Sequence, residues 1–247
     1  MRRAEMRVTG CDYGATSFTT RDQAGQLVEL LALRSGDLLL DIGSGAGWPG
    51  IHLSRSTGCR VVLTDPSLDG LRVAHRRISA ENVVGVVVAS SGETLPFHDE
   101  AFDAVTHSDV LCCLQEKQLL LKTSRRVLKA GGRLSFMVIE LAEGLSSAFT
   151  SEAVAASPDY VEADGPYRAL MENAGFEKIE SMDVTDTYRE TLSAWIREWD
   201  NESSELVPLL GTAEFDERQT RRRRALTAVD EGWIKRTLFT ASRRENS

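Results

Sequence analysis

The 247 residues read as an α/β protein, a three-layer sandwich on a mostly parallel, seven-stranded sheet. Three observations lead there. Short apolar runs alternate with segments of helical period. Several of the runs are apolar at consecutive positions, as in strands buried on both faces. A glycine-rich turn follows the first of them.

The elements follow in order. Residues 8–20 are polar and turn-rich, with Tyr13 and Phe18 as isolated aromatics. A helix comes next, capped by Thr20 or Asp22, with Leu27, Leu30, Leu31 and Leu33 on its apolar face. Strands are expected at 38–42, 60–64, 83–89, 102–106 and 133–140, the last entered through a Gly131-Gly132 turn. Helices are expected from Pro49, over 68–81, and up to Leu128. Residues 167–174 form a helix stopped by Gly175, and 178–184 a sixth strand. Helices at 187–199 and 213–233 are parted by Pro208 and Gly211, and 237–241 is the last strand. No repeat or linker divides the chain, so one domain over 1–247 is expected, with an arm and helix at 1–35 and a core at 36–140.

Composition narrows the function. Lys and Arg total 29 against 37 Asp and Glu, a net charge of −8, which argues against a general nucleic-acid binder. Hydrophobic residues at 42% and charged residues at 27% are ordinary globular usage and exclude wholesale disorder. No window nears the ~18 consecutive apolar residues of a membrane helix. Residues 1–7 carry charge with no apolar stretch behind them, unlike a signal peptide. Cys112 and Cys113 are adjacent, Cys11 and Cys59 are distant, and no spacing suits zinc. Reduced thiols in a cytoplasmic protein without a metal are expected.

The informative segment is Asp41-Ile42-Gly43-Ser44-Gly45-Ala46-Gly47-Trp48-Pro49-Gly50. A glycine turn between a strand and a helix lets a ligand reach backbone N–H groups. Gly45, Gly47 and Gly50 satisfy GxGxxG, by itself a weak sign of a dinucleotide. Asp41 speaks against a pyrophosphate, which a neighbouring carboxylate would repel. It suits S-adenosylmethionine, which carries an ammonium and a sulfonium.

With three further motifs, residues 38–140 resemble the class I S-adenosylmethionine-dependent methyltransferases, especially their small-molecule branch. The motifs are Asp65 ending the second strand, Leu95-Pro96-Phe97 with Phe102-Asp103, and Leu128-Lys129-Ala130-Gly131-Gly132. The resemblance implies a Rossmann-like sheet with a helical lid formed by insertions at 141–170 and 187–232. It implies that Gly43, Ser44, Gly45 and Gly47 line the methionine end, with Asp41 toward the ammonium. Asp65, followed by Pro66, would hold the ribose. Ser91, Gly92 and Glu93 would meet the adenine, and His107 and Ser108 the amino-acid part. The family commonly has Asp where Ser91 stands, so that contact passes to a hydroxyl or the backbone.

Methyl transfer needs alignment of a nucleophile with the sulfonium and, for some acceptors, a base. The catalytic candidates are His107, Asp109 and Tyr13, and the substrate candidates are Phe18, Trp195 and Trp199. Asp109 resembles an acidic residue of phosphoethanolamine and sarcosine methyltransferases. Those relatives often carry His where this chain has Cys113, which counts against phosphobase methylation. Each candidate also has a packing role open to it: His107 beside the cofactor, Tyr13 in an arm, the tryptophans as core. Arg221–Arg224 reads as a solvated, partly ion-paired helix face, with Glu217 placed to pair with Arg221. The expectation is a cytoplasmic enzyme, monomer or homodimer, methylating a nitrogen or oxygen of a small molecule. A non-catalytic S-adenosylmethionine-binding protein, an RNA methyltransferase and an NAD-dependent oxidoreductase remain as alternatives.

Overall fold

The sheet switches direction of growth beside its first strand, and that reversal locates the site. In the computed structural model, which describes residues 2–14 and 17–245, the strands are β1 (Leu38–Ile42), β2 (Arg60–Asp65), β3 (Gly85–Ala89), β4 (Phe102–Ser108), β5 (Leu128–Leu141), β6 (Phe176–Asp183) and β7 (Ile234–Arg243). Their order is β3-β2-β1-β4-β5-β7-β6. The first five pair in parallel, and β7 runs antiparallel to both β5 and β6. The chain leaves β1 toward β2 on one side and later returns to place β4 on the other. Crevices open at the carboxyl ends of strands at such switch points.

The helices are α1 (Arg2–Thr9), α2 (Arg21–Leu31), α3 (Gly50–Thr57), α4 (Leu68–Ala80), α5 (Lys117–Val127), α6 (Ser147–Ala155), α7 (Tyr167–Asn173), α8 (Thr185–Asn201), α9 (Ser203–Leu210) and α10 (Thr212–Asp230). Side chains alternate across each strand, so consecutive apolar residues feed two cores. Leu39, Leu63 and Met137 join Leu27 of α2, Ile51 of α3 and Ile78 of α4 on one face. Leu40, Val105 and Phe136 join Leu121 of α5, Leu170 of α7 and Ala228 of α10 on the other. The three layers follow from this division.

A third core lies within the helical additions. Trp195 and Trp199 of α8 pack with Ala4 of α1, Leu206 of α9 and Phe215 of α10. Two of these helices escape the sequence reading. Helix α1 is charged and short, and it gains its stability from Ala4 and from Arg7, which pairs with Glu198 and Glu202 of α8. Helix α9 continues through Pro208 to Leu210, and it buries Leu206 in this third core. The expected Gly131-Gly132 turn is an irregularity inside one long strand, where the β4–β5 register shifts between Phe102 and Ala104. Among the described residues no helix is long and apolar enough to cross a membrane.

Thr20, not Asp22, caps α2. Its hydroxyl accepts from Gln23 N at 3.2 Å, and Gln23 Oε1 accepts from Thr20 N at 3.1 Å. Thr20→Ala removes one arm of this capping box and should cost about 1 kcal/mol in urea unfolding. An unchanged midpoint would show that tertiary contacts alone set the start of α2.

Candidate functional site

The loop after β1 turns on three glycines at positive φ: Gly43 (+68°), Gly45 (+50°) and Gly47 (+100°). Its shape is held by short bonds. Ser44 N donates to Thr64 O at 3.0 Å, and Gly47 N to Ser44 O at 2.8 Å. Asp65, at the end of β2, accepts from Gly45 N at 2.8 Å and from Ser67 N at 2.7 Å. A Cβ on Gly43 would lie 2.5 Å from Val110 Cγ2, so the loop rests on the segment after β4. A Cβ on Gly70 would lie 3.0 Å from Gly45, so the start of α4 closes the loop from the side. Gly92 is packed against Leu120 and Ile42, which brings the segment after β3 to the end of β1. Ser91 Oγ shares a hydrogen bond with Thr94 Oγ1 at 3.0 Å, and the Glu93 carbonyl accepts from the Thr123 hydroxyl. Pro66 is exposed beside Asp65. Gly43, Ser44, Gly45, Asp65, Gly92 and Ser108 thus gather at the carboxyl ends of the strands.

Asp41 is buried at the end of β1, and its carboxylate accepts from Gly50 N at 2.9 Å, which ties the end of the loop to the strand. Burial pushes its carboxyl up to about 7, against the Gly50 bond, with the Asp65 charge adding to the rise.

The candidate catalytic residues separate. His107 is fully buried, stacked on Phe136 at 4.5 Å between ring centroids. Burial lowers it to about 3, so it stays neutral, and neither ring nitrogen has a hydrogen-bond partner among the described residues. Asp109 does stand at the end of β4, with φ +56°. Its carboxylate is taken by Arg236 of β7, which donates through Nε at 2.9 Å and Nη2 at 2.7 Å. The same guanidinium donates to Phe18 O, Gln23 Oε1 and Thr19 Oγ1 at 3.1, 3.3 and 3.0 Å. Tyr13 packs its ring on Trp48 of the glycine loop, 5.1 Å between centroids, and turns its hydroxyl toward the other end of α4. Its hydroxyl donates to Glu81 at the far end of α4, and Arg77 lies over its ring. Gly70 touches the loop and Glu81 is eleven residues on, about 16 Å along the helix axis.

Phe18 reaches the Asp109 neighbourhood through its carbonyl, and its ring meets Tyr188 edge-on at 4.9 Å. Trp195 and Trp199 are both fully buried in the helical core. Arg222 stacks on Trp199, Arg223 pairs with Asp200, and Arg221 reaches Asp159 at 3.8 Å rather than Glu217.

Comparison with known proteins agrees with this geometry. Residues 40–136 match a family described as a methyltransferase domain. The chain is 29% identical over 195 residues to the methyltransferase GfsG of Streptomyces halstedii, covering 75% of this chain and 68% of that one. It is 32% identical over 186 residues to the ubiquinone/menaquinone biosynthesis C-methyltransferase UbiE of Enterobacter sp. (strain 638), covering 64% and 73%. The chain belongs to the class I S-adenosylmethionine-dependent methyltransferases. Two solved structures share the fold of this methyltransferase. A Haemonchus contortus phosphoethanolamine N-methyltransferase 2 in complex with S-adenosyl-L-methionine has a TM-score of 0.82 and 20% identity, covering 98% of this chain and 56% of that one. A geranyl diphosphate C-methyltransferase from Streptomyces coelicolor A3(2) has a TM-score of 0.70 and 18% identity, covering 90% and 78%.

The cofactor of this methyltransferase is S-adenosylmethionine, and the loop fits it. A Cβ on Gly45 would meet nothing within 4 Å, so that face of the backbone is open to a ligand. The hydroxyls of Ser44, Ser90 and Ser108 are buried with no hydrogen-bond partner among the described residues, as expected of groups that await one. Sequence reasoning passed over Ser90, Thr19, Trp48 and Arg236. Arg236 carried no local signal, since Lys235 and Arg243 share its strand and only its distant partners set it apart.

Two buried groups give opposed pH effects. Asp41 binds its proton more tightly folded than unfolded, where Asp titrates near ~3.9, so it removes stability as pH rises from about 4 to about 7. His107 binds its proton less tightly folded, so it removes stability as pH falls from about 6.5 to about 3. Asp41→Asn should therefore raise the thermal midpoint above about pH 7 and leave it unchanged below about pH 4. His107→Phe should raise it in acid and leave it unchanged above about pH 7. Scans of both variants from acid to neutral pH check the two signs.

Proposed function

We propose that this methyltransferase transfers the methyl group of S-adenosylmethionine to a nitrogen or oxygen of a small-molecule acceptor, in the cytoplasm. In this reading Gly43, Ser44, Gly45 and Gly47 cradle the methionine part, with Ser108 beside it. Asp65 and Pro66 meet the ribose, and Ser91, Gly92 and Glu93 the adenine. The observation that carries the reading is Asp65, at the loop and on the end of β2. An ionised carboxylate has about four acceptor sites. The bonds from Gly45 and Ser67 use two, which leaves two for the ribose hydroxyls. The arm, α6 and the α8–α10 group are the natural cover of the site, as elements added to the core sheet.

The acceptor must bring its own lone pair. Burial leaves His107 a weak base, pushed down to about 3, and Asp109 is held by a buried guanidinium. An amine, or an oxygen that ionises in water, meets this condition. The enzyme then contributes alignment and exclusion of water. The ion pairs and ring contacts of Arg221, Arg222 and Arg223 leave little of that basic run for a phosphate backbone, which favours a small acceptor over RNA. A second reading, with carbon as the acceptor atom, is supported by the identity to a protein named as a C-methyltransferase.

Calorimetric titration tests the site. S-adenosylmethionine and S-adenosylhomocysteine should bind and NAD should not. Asp65→Ala should weaken binding by at least about tenfold while the protein stays folded, since it removes charge-assisted acceptors. Unchanged affinity refutes the ribose role. Gly45→Val should abolish binding, and a normal dissociation constant would place the cofactor elsewhere. Turnover of methyl-labelled cofactor on a panel of amines, phenols and enolisable ketones decides the acceptor atom. For a nitrogen or oxygen acceptor, the pH dependence should follow the acceptor's own ionisation and survive His107→Phe.

A further inference from the structure

Three residues of the N-terminal arm are gripped from three directions. Trp195 Nε1 of α8 donates to Ser17 O at 3.1 Å, and Arg236 Nη1 of β7 donates to Phe18 O at 3.1 Å. Trp48 Nε1, from the glycine loop itself, donates to Thr19 O at 2.9 Å. Thr19 closes a relay, because its hydroxyl also takes a bond from Arg236 Nη2 at 3.0 Å. Arg236 is in turn fixed by the two carboxylate oxygens of Asp109. Arg236 and Thr19 are fully buried and Trp48 is nearly so.

We propose that Arg236 is a positioning residue for the cofactor: through Thr19 and Trp48 it holds the glycine loop in the shape that receives S-adenosylmethionine. The inference rests on the reading of that loop as the cofactor site. A loop of glycines has little side-chain packing of its own and loses much backbone freedom when ordered. Trp48 is the one large side chain between Gly43 and Pro49, so anchoring its indole anchors the loop. The indole has a single donor, spent on Thr19 O. Thr19 keeps its place because a guanidinium with all its edges engaged cannot turn away without losing several bonds at once. Ordering the loop before the ligand arrives removes that cost from binding.

Thr19 allows a test that separates this role from mere packing. Thr19→Val keeps the shape and deletes the hydroxyl, whereas Thr19→Ser restores it. Without ligand, amide hydrogen exchange at Gly45 and Gly47 should be faster in the Val variant than in the native chain and near native in the Ser variant. S-adenosylhomocysteine should bind the Val variant about tenfold more weakly, the loss of one hydrogen bond's worth of ordering, and the Ser variant nearly as the native chain. Native exchange and affinity in Thr19→Val, or equal defects in both variants, overturn the relay. If the native chain fails to bind S-adenosylhomocysteine, the cofactor reading has failed, and the exchange rates still decide whether Arg236 and Thr19 order the loop.

Discussion

A guanidinium with no exposure to solvent ties the structure together. Removing the Arg236 charge from water costs several kcal/mol, and that cost is offset only if the cation is paired and its donors are met. Asp109 supplies the countercharge, while Phe18, Thr19 and Gln23 accept the remaining bonds. The demand for satisfaction is what joins the pieces. The arm must lie across the end of β4, α2 must begin beside it, and β7 must sit between β5 and β6 for Arg236 to reach them. Asp109 itself sits at positive φ, a local cost that the ion pair counters.

The same interaction shapes the chemistry. A carboxylate at the end of β4 would be the obvious base, and here it is committed to structure. His107, one strand position before Ser108, is stacked on Phe136 and held neutral by burial. What remains at the carboxyl edge is a cradle of backbone N–H groups, hydroxyls and the Asp65 carboxylate. That equipment suits the binding and orienting of a preactivated methyl donor. A sulfonium needs little further activation, so an enzyme built on it can spend its buried charges on shape.

The helical additions are self-supporting. Trp195, Trp199 and Phe215 give them a core separate from the two faces of the sheet, with Arg222 laid over the indoles. Arg7 pins α1 to α8, and the Trp195 indole reaches out of this core to Ser17. These helices are thereby attached to the sheet through the arm as well as through the chain connections on either side.

The sequence by itself determined the strands, most helices and the glycine loop. Those features are local: consecutive apolar residues, a cap, and glycines where φ must be positive. Family motifs placed Asp65 beside the loop, because a strand end and the turn next to it are set by short-range geometry. The fates of Asp41, His107, Tyr13 and the two tryptophans were decided only by tertiary structure. Each is an aromatic or ionisable residue that suits a site or a core equally well, and which it joins depends on partners far along the chain. Arg236 is the extreme case. Its partner Asp109 lies 127 residues away and Thr19 lies 217 away, so no window of sequence contains the interaction that orders the site. Short-range geometry fixes what a segment can become, and the desolvation of buried charge decides which distant segments must meet.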